Sequence, residues 1–212
     1  MPHPSSPDLL VLHAVRLIGA ASVDAVARAT GLDPVHVERV LHGFAEAGHV
    51  EFGHSAPGGW RITTAGASAD ARSIASELEA RGARAAVEQA HRRFLEINPE
   101  LLATCTAWQL RELDSARVTN DHTDLTYDRA VIERLVEVHR RITPVLDELS
   151  QRLARFGVYV ARLGEALDQV VAGHGDWFTR PLLDSYHSVW FELHQDLLDT
   201  LAIDRAAETV GA

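Results

Sequence analysis

The sequence predicts a mainly α protein in two parts. Residues 1–66 read as three helices closed by a two-stranded ribbon, and residues 67–212 as a helical bundle. Two observations carry this. Residues 32–66, LDPVHVERVLHGFAEAGHVEFGHSAPGGWRITTAG, run as an amphipathic helix, a short strand, a Gly-rich turn and a second short strand. Behind them, apolar residues recur at helical spacing almost to the C-terminus, so the ribbon is the only β-structure expected.

Taken in order, Asp8 is a candidate cap for a first helix to about Gly19, with Leu9, Leu10, Leu12, Val15, Leu17 and Ile18 as its apolar face. Ser22 has N-cap chemistry for a second helix, which Gly31 ends. Asp33 and Pro34 open the third as N-cap and first helical residue. Val37, Val40, Leu41 and Phe44 face inward, while His36, Arg39, His42 and Glu46 face away. Gly48 stops this helix, HVEF alternates as a strand, Pro57-Gly58-Gly59 turns the chain and WRIT returns it.

A helical pattern then runs to about Ile97 with a break at Gly82, and Asn98-Pro99 starts another helix through LLATCTAWQLREL. The stretch DSARVTNDHTD reads as a polar loop, with Asp124 or Thr126 capping the next helix. From Tyr127 to Phe156 one stripe continues across Pro144, through Val131, Leu135, Val138, Ile142, Val145, Leu149 and Leu153, which predicts one kinked helix. A helix from Val158 to Val171 comes next, broken by Gly173-His174-Gly175, and PLLDSYHSVWFELHQDLLDTLA reads as the last.

Composition bounds the function. A chain of 212 residues buries roughly 70% of its unfolded surface and needs no cross-link to hold a core. One cysteine, Cys105, excludes an internal disulfide framework and a Cys-rich zinc site, and fits a reducing cytoplasm. MPHPSSPD has no basic or apolar region of a secretory signal, and no apolar run approaches a membrane span. Every basic residue is arginine, which reflects a GC-rich genome rather than chemistry. The net charge of −10 opposes non-specific nucleic-acid binding, which relies on basic side chains to release counterions. Residues 1–66 hold only Arg16, Arg28, Arg39 and Arg61 against Asp8, Asp24, Asp33, Glu38, Glu46 and Glu51.

The second helix ending in ATGLD, the third ending in EAGHV and the ribbon returning as GGWRITTAG together resemble the winged-helix regulators of the MarR type, over about residues 9–66. The resemblance implies an N-terminal winged helix-turn-helix with a two-stranded wing, followed by a C-terminal helical bundle for effector binding and dimerisation. It implies DNA as a partner and a homodimer, because two half-sites add the weak affinity of each reading helix. In such a reader His36, Arg39 and His42 meet base edges and phosphates, Arg61 reaches a phosphate or the minor groove, and Ser22 and Thr30 donate to phosphate. The alternative for this face is a solvated surface on a winged helix that binds no DNA.

The C-terminal part concentrates aromatic residues. Trp108, Trp177, Phe178, Tyr186 and Trp190, with His122, His187 and His194, are the candidate ligand-binding set. Aromatic walls with a few imidazoles and carboxylates suit a small-molecule pocket, and each aromatic taken singly also suits plain core. Asn120, Asp121, His122 and Asp124 form a polar cluster. His187 and His194 are two helical turns apart, about 10 Å, too far to share one ion directly, so no metal or other cofactor is expected. No nucleotide-binding or nucleophile-elbow motif occurs and Cys105 reads as a buried thiol, so no catalysis is expected. The reading is a cytoplasmic, DNA-binding transcriptional regulator that senses a small molecule. The alternative is a ligand-sequestering or protein-docking protein.

Overall fold

A computed structural model describes residues 5–54, 58–113 and 116–204, which are mainly helical. The described residues fall into two compact units, residues 5–88 with 149–158 and 195–204, and residues 89–148 with 159–194. This division lies elsewhere than residue 66. Residues 149–158 and 195–204 join the first unit, where Arg155, Asp196 and Asp199 meet charged side chains of its early helices.

In the first unit, α1 (Pro7–Ile18), α2 (Val23–Thr30) and α3 (Pro34–Glu46) precede a ribbon of β1 (Val50–Gly53) and β2 (Gly59–Ile62). Ser6, not Asp8, caps α1, accepting from the Leu9 N–H at 3.2 Å. Asp8 instead sits in the first turn, where its charge complements the helix dipole. Ser22 and Asp33 cap α2 and α3 as their chemistry dictates. The ribbon is antiparallel with Phe52 opposite Trp60, and Pro57 of its turn lies outside the described residues. Ala21 adds a third rung by exchanging backbone hydrogen bonds with Trp60 at 2.8 and 2.9 Å. A side chain on Gly59 would meet the backbone of Ala20 and Ala21 at 3.0 Å, so that rung requires glycine. Val11, Val15, Val26, Val37, Leu41, Val50 and Trp60 form the apolar core.

Then comes α4 (Thr64–Ala80), and the first unit also holds a 3-10 turn (Ala154–Phe156). This unit also contains a buried ionic network. His13 on α1 sits 3.1 Å from Asp70 on α4 and 3.2 Å from Asp196. Arg155 of the 3-10 turn bonds Asp196 and, at 2.9 Å, Glu77. Arg16 joins Asp70 to Asp199 at 3.3 and 2.9 Å.

The second unit departs from the sequence reading in four places. α5 (Arg84–Gln109), which enters it from the first unit, runs straight through Asn98-Pro99 without restarting. Proline removes one backbone bond, but Phe94, Ile97, Leu101, Cys105 and Trp108 form one buried stripe, and keeping it buried outweighs the ~3 kcal/mol cost. A second hairpin forms where the end of a helix and a polar loop are expected: β3 (Leu110–Leu113) takes the last residues of LLATCTAWQLREL and β4 (Ala116–Thr119) the start of the loop, with Asp114 and Ser115 outside the described residues. The first ribbon is therefore not the only β-structure. Each strand has only four residues; LREL continues the helical pattern before it, and the alternation of ARVT is too short to stand out in a polar stretch. α6 (Leu125–Ser150) does pass Pro144, capped by Asp124, but ends at Ser150, so Leu153 and Phe156 are buried beyond the helix end. After it come α7 (Gly157–Val171) and a short α8 (Asp176–Thr179), and α9 (Tyr186–Leu201) starts five residues later than expected. Leu182 has a left-handed φ of 64°, which no α-helix accommodates, so helix formation waits for the cap by Ser185. Among the described residues no helix is long and apolar enough to cross a membrane.

Candidate functional site

Two surfaces collect the candidate residues. The first is the outward side of α3. Val37 and Leu41 are buried, which leaves Glu38, Arg39 and His42 exposed on the opposite side. His36 is half-buried instead, its Nε2 shielded and without a partner among the described residues. A three-residue step turns about −60° around a helix, so His36 and His42 do not share one line. His42 stands edge-on to Trp60 at 5.4 Å, Trp60 to Phe52 at 5.3 Å and Phe52 to His54 at 5.0 Å, making an aromatic ridge from helix to ribbon. Val35 and Phe52 are 65% and 48% exposed along this surface.

Of the two hydroxyls expected to donate to phosphate, Thr30 spends its donor inside the fold, while exposed Ser22 uses only an acceptor lone pair. Ser22 accepts from the Ala25 N–H at 3.1 Å, and Thr30 donates to the Val26 carbonyl at 2.7 Å. Arg61 is half-buried on β2 beside Gly53. Asp33, Glu38, Glu46 and Glu51 are all exposed, so the unit presents more acidic than basic side chains around Arg39.

The second surface is an open cleft of about 1040 Å³ in the second unit. Its back wall is Trp108 at the end of α5, with Phe178 stacked behind at 4.7 Å and 11°. A side chain on Gly175 would meet the Trp108 ring at 3.0 Å, so glycine lets the chain close over the indole. His122 leans on Trp108 with ring centroids 4.4 Å apart. Its backbone is left-handed, with φ 57°, a conformation that costs of order 1 kcal/mol and persists only where surroundings impose it.

Those surroundings are polar and satisfied. Asn120 donates to the Trp108 carbonyl at 3.1 Å and to Asp128 Oδ1 at 2.8 Å, and its own oxygen accepts from the His122 N–H at 3.3 Å. Asp128 Oδ2, buried, lies 3.0 Å from His122 Nδ1. With Nδ1 taken as the donor to the carboxylate, Nε2 is the ring atom left to meet a ligand. Ile132, Val170 and Val171 give the cleft apolar walls. Of the polar cluster Asn120–Asp124, Asp121 instead accepts from Thr123 and Asp124 caps α6, while Asp128 completes the site. Hydrogen bonds from Thr123 lower the Asp121 pKa.

The candidate ligand set thus divides. Trp108 and His122 line the cleft, with Phe178 supporting them. Trp177 is half-buried and lines a separate shallow groove with Leu182 and Leu183. Tyr186 and Trp190 are fully buried and stack at 6.2 Å, with Phe94 4.7 Å from Trp190. His194 lies 4.7 Å from Phe94 and 6.2 Å from His91. Trp190 Nε1 donates to Asn98 at 2.9 Å, and His139 Nδ1 is 3.3 Å from the Tyr186 hydroxyl. His187 is half-buried on the same helix, and burial lowers its pKa. Tyr186 and Trp190 are core, His187 and His194 sit half-buried at its edge, and none of the four lines the cleft.

Asn120 is legible in the sequence as part of a polar cluster, but Asp128, Arg129 and Glu133 are not, because they sit in what reads as the solvated face of a long helix. Burial pushes the Cys105 thiol up to about 12, which keeps it un-ionised. Among the described residues no group of three or more His, Cys, Asp or Glu side chains is placed to hold a metal ion. Compared with known proteins, the chain matches no family model, no curated protein and no solved structure.

Proposed function

We propose that this protein is a cytoplasmic transcriptional regulator. Its N-terminal helices and ribbon act as a MarR-like winged helix-turn-helix on DNA, and its second unit receives a small-molecule effector in the Trp108–His122 cleft. The observation that carries the DNA reading is the open outward side of α3, where the folding of the first unit leaves Arg39 and His42 exposed. Arg39 is the side chain suited to bidentate contact with guanine, and Arg61 on the wing is suited to phosphate. The protein acts as a homodimer, because one reading helix with so few cations has little affinity of its own. Effector binding shifts the population between DNA-competent and incompetent spacings of the two reading helices.

The test is a mobility-shift assay at low salt with fragments from around the gene. A salt-sensitive shift is expected, and Arg39→Ala weakens it by about tenfold. Absence of a shift with every fragment would overturn the DNA reading.

A second reading has its own support. The acidic set of Asp33, Glu38, Glu46 and Glu51, with exposed Val35 and Phe52, suits a protein-docking face better than a phosphate backbone. In that case the protein sequesters its ligand or docks a partner, and Arg39→Ala leaves all DNA behaviour unchanged.

A further inference from the structure

The cleft of the second unit holds its charges in an uneven arrangement. Two sets close on themselves: Asp128 with His122 at 3.0 Å, and Arg180 with Asp176. One set stays open. Arg129 and Glu133, one turn apart on α6, both line the cleft, and neither has an ion-pair or hydrogen-bond partner among the described residues. The same helix readily closes such pairs where the order favours it, as Glu137 with Arg140 at 2.6 Å. Arginine ahead of glutamate is the less favourable order, so the pair is not driven to neutralise itself.

We infer that the cleft takes a small apolar zwitterion, an α-amino acid or very short peptide with a ring or branched side chain. This rests on the reading of the cleft as the effector site and adds the ligand's class. The carboxylate faces the Arg129 guanidinium, whose planar fork suits a bidentate contact. The ammonium faces the Glu133 carboxylate. The side chain lies on the apolar wall of Trp108, Ile132 and Val170, and His122 Nε2 offers one further hydrogen-bonding atom. An apolar acid would leave Glu133 facing it with the same sign of charge, and an apolar amine would leave Arg129 so. Only a molecule carrying both charges meets both residues.

The experiment is isothermal titration of the full chain with three probes of one shape: L-phenylalanine, 3-phenylpropionate and 2-phenylethylamine. L-phenylalanine binds more tightly than either singly charged probe by about fivefold, the scale of a solvent-accessible charge contact. Glu133→Gln abolishes the preference over phenylpropionate, and Arg129→Gln the preference over phenylethylamine. Both residues are exposed, so both variants fold. Phenylpropionate or phenylethylamine binding as tightly as the amino acid would overturn the zwitterion assignment while leaving the cleft a ligand site. Binding of none of the three would overturn the effector-site reading with it. The mobility-shift assay reads the DNA proposal separately.

Discussion

His13 and His122 are both gripped by aspartates, and they are put to opposite uses. His13 is sealed between Asp70 and Asp196, with side chains only 5%, 1% and 4% exposed. His122 leans on Asp128 with 42% of its side chain exposed, at the mouth of a cleft. Burial alone lowers the His13 pKa, but Asp196 and Asp70 outweigh it and push it up to about 9, so the imidazolium persists at pH 7 as a structural cation. Asp196 is likewise disfavoured as an anion by burial, and Arg155 and His13 overturn this and hold it below the usual carboxylate range. At its centre, His13, Asp70, Asp196 and Arg155 are thus mutually dependent charges with side chains at most 5% exposed, while Arg16 at the edge meets solvent. The His122 pair makes no such demand on the fold, and its free ring nitrogen is available to a ligand. The same pairing of residues becomes a strut or a recognition group according to whether water has access.

The sharpest way to break the comparison is Arg155→Leu. It removes the guanidinium shared by Asp196 and Glu77, leaving His13 as the cation beside Asp196, and the expected loss is about 3 kcal/mol of stability by urea denaturation. A loss below about 1 kcal/mol, the range of a solvated pair, would show that the contrast with His122 is not one of access.

Next in size is the pH dependence carried by His13. Its folded-state pKa lies above the unfolded value of 6.5, so its contribution is complete below pH 6.5 and is lost as pH rises through about 9. The full effect is on the order of 3 kcal/mol. The melting temperature of the wild type should fall across that window, and His13→Gln should flatten the curve there. An unchanged slope in the variant would assign the alkaline loss to other groups.

The smallest expected effect is His122→Asn. Asparagine tolerates the left-handed backbone, and a half-exposed pair contributes little, so stability should change by less than about 1 kcal/mol. Titration with L-phenylalanine should nonetheless weaken. A large loss of stability with unchanged binding would make His122 a second strut and erase the distinction.

Legibility in the sequence depends on range. The caps Ser22, Asp33 and Asp124 are readable because each meets an amide two or three residues away. The stripe of α6 is readable because a helical period repeats. The same logic fails at Pro99, where proline reads as a break although an apolar stripe crosses it, and at β3–β4, where four-residue strands are too short to outweigh the helical and loop patterns around them. In the cleft, residue type singles out Trp108 and His122. It singles out Tyr186 and Trp190 equally, and these lie in the core, because aromatic composition does not distinguish a wall from a filling.

What the sequence determined by itself is the local grammar: helix starts, inward stripes, the first ribbon and the outward side of α3. Only tertiary structure decided which ionisable groups are sealed and which stay open. His122 meets Asp128 across 6 residues, but His13 meets Asp70 across 57 and Arg16 meets Asp199 across 183. No periodicity in the chain encodes such distances; they arise when apolar faces far apart in sequence are buried together and carry their charged neighbours with them.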